Sequence, residues 1–288
     1  MGSYLPEDKF VHANGLRMHY LDWGGDTTKK PLILMHGIGG HAHAFDRFAP
    51  NMVDEYRVLA LDGRGCGDTD WTKDGYSVQA YAADVAAFAR ASGAYPFDYY
   101  GHSQGSRIGM PLGAYFGDLV DHLILGDYGP MPDPSPSGRD TAQRRLAGGQ
   151  RAERPRGFFS PQQAFDWHRA QNETATDEEI WNTVEYTYRS NWDGILVPKT
   201  DPEISWLNGR SALKEGPFLW DAVGKICCKT LVLRGERSTV LDLAQAEKMA
   251  ATIPNRKGVM REVPGAGHGL HSEKMAETVQ IIREFLAT

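Results

Sequence analysis

The pentapeptide from Gly101 to Gly105 limits the fold of this chain more than any other feature. It reads Gly101, His102, Ser103, Gln104, Gly105, with an apolar run before it and a helix-forming stretch after it. A strand that turns this sharply into a helix leaves no room for side chains beside the turn, so glycine is needed on both sides of the serine. The pattern predicts that Ser103 is a nucleophile held at a helix N-terminus. A glycine-rich turn with an incidental serine is the alternative.

Extended apolar runs alternate with helical patterns on both sides of this turn. The clearest helix is Val78 to Ala91, in which apolar residues recur at spacings of three and four. Consecutive strands separated by helices need crossover connections, so the alternation predicts an α/β fold with a mostly parallel sheet. The predicted strands are Leu16 to Trp23, Pro31 to Met35, Arg57 to Leu61, Pro96 to Tyr100, His122 to Gly126, Thr230 to Arg234 and Val259 to Val263.

A stretch of different composition interrupts the alternation. Prolines at positions 130, 132, 134 and 136 open it, and an arginine-rich and aromatic-rich region follows to about residue 220. Strand and helix patterns then resume, with predicted helices at Leu243 to Ala251 and Ser272 to Leu286. We therefore predict an α/β core domain formed by residues 1–129 and 221–288, with a helical cap formed by residues 130–220 inserted after the strand that ends at Gly126.

A second glycine-rich loop follows the strand that ends at Met35. It reads His36, Gly37, Ile38, Gly39, Gly40. The tetrahedral intermediate of acyl transfer needs two convergent hydrogen-bond donors for its oxyanion. We predict that the backbone N–H groups of Ile38 and Gln104 form this oxyanion hole.

These motifs resemble the α/β-hydrolase superfamily over essentially the whole chain, together with the segment Leu61 to Asp68 and the terminal segment Pro264 to His268. The resemblance implies an eight-stranded, mostly parallel sheet flanked by helices, with a helical cap inserted after the sixth strand. In this numbering the strand that ends at Gly126 is the sixth. Superfamily members include esterases, lactonases, amidases, C–C bond hydrolases and hormone receptors, so the fold alone leaves the reaction open. Dehalogenases and epoxide hydrolases of the superfamily carry aspartate at the elbow, and Ser103 argues against both.

The resemblance places the general base near the C-terminus, and His268 lies there after the last predicted strand. A serine hydroxyl is a weak nucleophile at neutral pH and needs such a histidine to take its proton. His271 is the nearest alternative, but it falls at the start of the closing helix. His102 lies inside the elbow and is expected to form a pocket wall.

The third catalytic residue is displaced from the commonest superfamily position. That position follows the seventh strand, where the chain reads Gly235 to Leu241 without an aspartate. Asp127 follows the sixth strand instead, and both strand ends open on the same crevice. We predict a Ser103, Asp127, His268 triad, with Glu236 or Asp242 as alternative acids; this arrangement is similar to an enamide-hydrolysing branch of the superfamily.

The predicted cap is rich in arginine and aromatic residues. Arginine suits a carboxylated substrate, whereas a solvated basic helix face is the alternative. The aromatic residues are expected to pack the cap onto the core, with some lining an apolar pocket. The arginines are Arg139, Arg144, Arg145, Arg151, Arg154, Arg156 and Arg169, and the aromatic residues are Phe158, Phe159, Phe165, Trp167, Trp181, Tyr186, Tyr188, Trp192 and Trp206.

Composition argues against several other classes of function. The net charge of −6 disfavours a nucleic-acid partner, and no apolar run has the length of a signal sequence or a membrane span. Three cysteines without framework spacing favour a reducing, cytoplasmic compartment. A serine triad requires no metal or organic cofactor, and His36, His41 and His43 lack the accompanying ligands of a metal site.

The predicted function is hydrolysis of an ester, lactone or amide bond in a small molecule through an acyl-enzyme. A C–C bond hydrolase or a cofactor-free lyase on the same triad is the first alternative, and a ligand receptor that signals through cap movement is the second. The expected partner is a small-molecule substrate rather than a membrane or a nucleic acid. The cap is also a candidate surface for a homodimer.

Overall fold

The computed structural model describes residues 5–24, 26–130, 155–172, 175–204 and 210–288, with the side chains of residues 210–213 left out. Eight strands form its main sheet, in the order β1, β2, β4, β3, β5, β6, β9, β10. The strands are β1 Glu7–Ala13, β2 Leu16–Asp22, β3 Pro31–Met35, β4 Arg57–Leu61, β5 Phe97–His102, β6 Val120–Gly126, β9 Lys229–Gly235 and β10 Gly258–Val263. The first two strands pair antiparallel and β2 pairs antiparallel with β4, whereas all other neighbours are parallel.

The sheet is buried on both faces because consecutive residues of its inner strands enter two different apolar clusters. Ile33 and Leu123 belong to the cluster that contains α1 (Val78–Ala91) and α2 (Gln104–Tyr115). Their neighbours Leu34 and Ile124 belong to the opposite cluster, which includes the closing helix. A strand covered on both sides carries apolar residues without alternation, which explains why continuous apolar runs predicted these strands correctly.

The helices agree with the sequence pattern in the core. The helix predicted at Val78 to Ala91 has those bounds, and the Ser77 side chain accepts a hydrogen bond from the Ala80 N–H at its N-terminus. Two further helices close the chain as α7 Leu270–Glu273 and α8 Met275–Leu286, in place of one predicted helix. Helix α6 spans Leu243–Thr252.

Strand β1 has no counterpart among the strands predicted from apolar runs. Most of its side chains are exposed or half-buried, so it lacks such a run. Asn14 and Gly15 both have positive φ values and connect β1 to β2, as expected for a tight hairpin turn. The Asn-Gly pair was the available sequence signal for this strand.

The described part of residues 130–220 contains three helices and a short hairpin. They are α3 Pro161–Gln171, α4 Asp177–Thr187, β7 Tyr188–Ser190, β8 Leu196–Pro198 and α5 Arg210–Val223. Helix α5 crosses the boundary predicted at residue 220 and packs against α2 of the core. The division into core and cap stays a prediction.

Candidate active site

The elbow joins β5 to α2 at Ser103. Its φ of 54° and ψ of −109° lie outside the conformations that serine ordinarily adopts, so the surrounding structure must hold this backbone strain. The Ser103 N–H donates to the Gly126 carbonyl at 2.8 Å, which ties the elbow to the end of the neighbouring strand β6. Asp127 follows Gly126 directly, so the backbone places two predicted triad residues side by side.

The flanking glycines are required by space. A Cβ atom on Gly101 would lie 2.2 Å from the Gly105 carbonyl oxygen, and one on Gly105 would lie 2.3 Å from the Met35 carbonyl oxygen. Real Cβ atoms do not approach backbone atoms this closely. The steric argument made from the sequence therefore applies at both positions.

Asp127 and His268 are in direct contact. The imidazole Nδ1 lies 2.7 Å from Asp127 Oδ2, and the carboxylate is completely buried. With Nδ1–H donating to the carboxylate, Nε2 of His268 carries the free lone pair that a general base needs. The Gly235 N–H also donates to Asp127 Oδ1 at 2.9 Å.

Ser238 completes the surroundings of this carboxylate and was not singled out in the sequence. Its hydroxyl donates to Asp127 Oδ2 at 2.5 Å. Backbone N–H groups of Val240 and Leu241 donate in turn to the Ser238 hydroxyl, at 3.0 and 3.2 Å. Ser238 lies in the loop after β9, where the commonest superfamily pattern carries the acid. The missing aspartate in that loop was the one sequence signal that could have drawn attention to it.

The alternative catalytic residues are engaged elsewhere. His271 is buried, its Nδ1 lies 3.0 Å from the Tyr100 hydroxyl, and burial holds its pKa well below the usual range. Glu236 accepts from the Gly265 N–H, and Asp242 caps α6 by accepting from the Gln245 N–H at 2.8 Å. These contacts favour Asp127 and His268 over the three rivals.

His102 supports the position of His268. Its Nε2 lies 2.7 Å from the His268 carbonyl oxygen, so Nε2–H is the donor, and the two rings lie 4.9 Å apart. Burial, followed by the charge of His268, lowers the pKa of His102 to about 4. His102 is therefore a neutral partner of the His268 backbone rather than a second base.

The predicted oxyanion loop lies against the elbow. A Cβ atom on Gly37 would lie 3.4 Å from Ser103 Cβ, which shows how closely the two segments approach. A cavity of about 10 Å³, room for about one water molecule, is lined by both Ile38 and Gln104. The structure thus brings the two predicted oxyanion residues to the lining of one small cavity.

Both ring nitrogens of His36 are occupied by this loop. Nδ1 lies 2.6 Å from the Gly37 carbonyl oxygen, and Nε2 accepts from the Gly63 N–H at 3.0 Å. Burial lowers the pKa of His36, so the ring is a neutral brace of the loop. It has no free nitrogen with which to bind a metal ion.

The segment from Lys199 to Asp201 fastens to the core near the site. Thr200 donates its hydroxyl to the Gly39 carbonyl at 3.2 Å, directly beside Ile38. Lys199 pairs with Asp68 at 2.6 Å, and the Tyr76 hydroxyl donates to Asp201 at 2.5 Å. Contacts from outside the elbow therefore reach the oxyanion loop.

One group of metal-ligand side chains occurs in the part of the chain that the structure describes, formed by His19, Asp62 and Asp68. His19 Nδ1 lies 2.7 Å from Asp62 Oδ2, and its Nε2 lies 3.0 Å from Asp8. Asp62 also accepts from the Ala42 N–H at 2.6 Å. His19 and Asp62 are thus bonded to each other, and the Asp68 carboxylate pairs with Lys199, so the group connects β2 to the loops after β3 and β4.

Most of the predicted substrate-binding arginines lie outside the described residues; these are Arg139, Arg144, Arg145, Arg151 and Arg154. Trp206 also lies outside them. Arg169 is described, and it donates to Asp177 and to the Ala175 carbonyl. That arginine stabilises the start of α4 rather than facing a ligand.

The described aromatic residues of this region divide into packed and exposed ones. Phe158 and Tyr188 are buried in a small cluster against which Phe165 and Trp167 pack. Tyr186 stacks on His43 of the core with ring centroids 3.4 Å apart. Trp192 is fully exposed on the hairpin between β7 and β8.

Burial makes two of the three cysteines poor nucleophiles. All three are free, and Cys66 and Cys228 are buried. Burial raises the pKa of the Cys66 thiol, and it raises that of Cys228 to about 11. Cys228 is therefore a packing residue, whereas Cys227 is exposed.

Within the described ranges, no helix has the length and apolar character needed to cross a membrane.

Comparisons with known proteins agree with the fold described above. Residues 30–274 match a family model described as alpha/beta hydrolase fold. The chain is 29% identical to 3-hydroxybutyrate-oligomer hydrolase of Cupriavidus necator over 88% of this chain and 87% of that protein. It is 27% identical to 2-(acetamidomethylene)succinate hydrolase of Mesorhizobium japonicum over 89% of this chain and 88% of that protein.

A solved structure shows the same fold over the whole length. The crystal structure of E-2-(acetamidomethylene)succinate hydrolase superposes with a TM-score of 0.83 at 21% identity, covering 99% of this chain and 100% of that one. The predicted fold class is thereby confirmed, and together with the Mesorhizobium relative the superposition confirms the predicted resemblance to 2-(acetamidomethylene)succinate hydrolase. With a family model that covers most of its length, this chain belongs to the α/β-hydrolase fold family.

Proposed function

We propose that this protein is a serine hydrolase that cleaves an ester, lactone or amide bond of a small molecule through an acyl-enzyme. The observation that supports it most is the hydrogen bond between His268 and the buried Asp127, at the strand ends where the elbow presents Ser103. Relatives named as hydrolases of a hydroxybutyrate oligomer and of an acetamidomethylene compound support both ester and amide substrates.

In the proposed mechanism, Nε2 of His268 takes the hydroxyl proton of Ser103 while the serine oxygen attacks the carbonyl carbon. The resulting oxyanion is bound by the backbone N–H groups of Ile38 and Gln104. His268 then gives the proton to the leaving alcohol or amine, and Asp127 stabilises the imidazolium in between. Water attacks the acyl-enzyme with the same base, which releases the carboxylic acid and restores Ser103.

Arginine in the predicted cap supports a carboxylated substrate as part of the proposal. Among the described arginines of that region, Arg169 is already bound to Asp177. The carboxylate preference therefore depends on the remaining cap arginines. Comparison of neutral and carboxylated esters of the same acyl length measures it directly.

Hydrolysis of short-chain p-nitrophenyl esters tests the proposed triad. We expect Ser103→Ala to lower kcat by at least about 10³-fold and Asp127→Asn by about 10³ to 10⁴-fold. Asp242→Asn is the matched control, because it changes another acid near the site and asparagine still caps α6. An active Ser103→Ala variant would refute the nucleophile, and an active Asp127→Asn variant would refute the acid.

We also propose a reducing, cytoplasmic location. Free Cys66 and Cys228 in a folded core are typical of proteins from such compartments. Fractionation of cells that express the native chain, followed by immunoblotting, checks this proposal. Recovery in the periplasmic or secreted fraction would contradict it.

A further inference from the structure

The side chain of Gln104 has an unused hydrogen-bond donor next to the proposed oxyanion hole. Gln104 is 6% exposed, and its amide nitrogen Nε2 is buried without a hydrogen-bond partner among the described residues. Buried amide groups are nearly always paired, so an unpaired one beside a reactive serine requires an explanation. The proposed mechanism uses only the backbone N–H of this residue.

Arg107 fixes which end of the amide is unpaired. Its Nη1 donates to Gln104 Oε1 at 3.1 Å. A guanidinium group has donors and no acceptor, so the amide oxygen must face Arg107 and the amide nitrogen must face away from it. Arg107 is itself 1% exposed and forms an ion pair with Glu215 of α5. The orientation of the Gln104 amide is therefore set by a buried arginine that is paired with a partly buried glutamate.

The cavity lined by Gln104 is the one that Ile38 also lines. Its other walls are largely apolar and include Ile108 and Ile204. The cavity has room for about one water molecule, which is the size of a single acceptor oxygen, and Gln104 follows Ser103 directly in the chain. The amide nitrogen of Gln104 is thus a polar donor in otherwise apolar surroundings.

We propose that the Gln104 side chain is a specificity-determining donor that binds an uncharged oxygen in the acyl group of the substrate. This inference rests on the proposed acyl-enzyme function. The acceptor is an ether, hydroxyl or carbonyl oxygen rather than a carboxylate, because Arg107 is already neutralised by Glu215 and an amide alone does not compensate for burial of a charge. Substrates with such an oxygen near the scissile carbonyl are preferred over their hydrocarbon analogues.

A matched pair of esters tests the proposal. p-Nitrophenyl methoxyacetate and p-nitrophenyl butyrate have acyl groups of equal length, with an ether oxygen in place of a methylene group. The ratio of their kcat/KM values, divided by the ratio of their hydroxide-catalysed rates, isolates recognition of the oxygen. We expect this corrected ratio to be about tenfold higher for wild type than for Gln104→Met, as one lost hydrogen bond predicts.

Two further variants separate recognition from packing. Gln104→Glu keeps an oxygen for Arg107 but removes the amide donor, so its corrected ratio should fall as in Gln104→Met. Gln245→Met is the control, because Gln245 is a buried glutamine whose Nε2 already donates to the Pro130 carbonyl oxygen. Its corrected ratio should equal that of wild type.

The outcomes distinguish this proposal from the proposed function. A corrected ratio within twofold of wild type in both Gln104 variants overturns the donor role, while hydrolysis of butyrate that depends on Ser103 leaves the acyl-enzyme proposal standing. If wild type hydrolyses neither ester nor other acyl substrates, the proposed function itself fails. A loss of activity that is equal for both esters indicates packing and also overturns the donor role.

Discussion

Moving the catalytic acid from position 127 to position 238 is a demanding test of the site geometry. Ser238 Oγ lies 2.5 Å from Asp127 Oδ2, which in turn lies 2.7 Å from Nδ1 of His268. Position 238 is therefore one hydrogen bond away from the imidazole. A carboxylate introduced there should reach the histidine once the carboxylate at 127 has been neutralised.

The single substitutions should each be harmful, for different reasons. In Asp127→Asn one acceptor oxygen becomes a donor, which then faces the Gly235 N–H on one side or the His268 and Ser238 donors on the other. We expect kcat to fall by about 10³ to 10⁴-fold. In Ser238→Asp a half-buried carboxylate meets the buried carboxylate of Asp127, and we expect a loss of about 2 kcal/mol in the free energy of unfolding.

The double variant, Asp127→Asn with Ser238→Asp, should recover at least about tenfold in kcat over Asp127→Asn, a coupling of about 1.4 kcal/mol. Ester hydrolysis measures the activity, and thermal unfolding of all four proteins measures the stability. Ser238→Ala serves as a control for loss of the serine hydroxyl alone. If Ser238→Asp lowers kcat equally in both backgrounds, the contact between position 238 and the catalytic acid does not have the proposed role.

Two further predictions concern stability. Gly105→Ala should lower the free energy of unfolding by about 3 kcal/mol or more, because its Cβ would lie 2.3 Å from the Met35 carbonyl oxygen. Gly93→Ala should lower it by only about 1 kcal/mol, because its Cβ would meet nothing within 4 Å and only the positive φ is unfavourable. Chemical denaturation compares the two variants, and equal losses would contradict the steric account. Burial lowers the pKa of His41 from 6.5 to about 3. Below pH 6.5 the unfolded chain therefore binds a proton that the folded chain excludes, and the free energy of unfolding should fall as the pH drops below about 6.5. This one group should cost about 2 kcal/mol between pH 7.5 and pH 5. His41→Gln should flatten the pH dependence of unfolding by that amount, and an unchanged dependence would show that His41 is not buried as a neutral group.

The sequence was sufficient to predict those parts of the fold that rest on local patterns. Strands such as Pro31–Met35 and Arg57–Leu61 carry continuous apolar runs because two clusters cover the sheet. The elbow was predictable because its turn has no room for a Cβ atom at Gly101 or Gly105, so the sequence must carry glycine at both positions. Strand β1 was missed because its exposed side chains give no apolar run.

The site could be predicted only where a motif or a resemblance pointed to a residue. Ser103 follows from the elbow, whereas the pairing of Asp127 with His268 joins distant parts of the chain and needed the superfamily resemblance. Ser238 and the Gln104 amide have no sequence pattern of their own. Their roles depend on which atoms lie 2.5 to 3.1 Å away after folding, and local sequence does not specify that.

Covalent labelling with a fluorophosphonate, followed by mass spectrometry, tests the central claim most directly. The proposed triad predicts one phosphonyl group per chain, located on the peptide that contains Ser103, with loss of ester hydrolysis in proportion to labelling. Ser103→Ala should take up no label. An enzyme that hydrolyses esters while Ser103 stays unlabelled, or one labelled at another residue with the same loss of activity, would contradict the claim that Ser103 is the nucleophile.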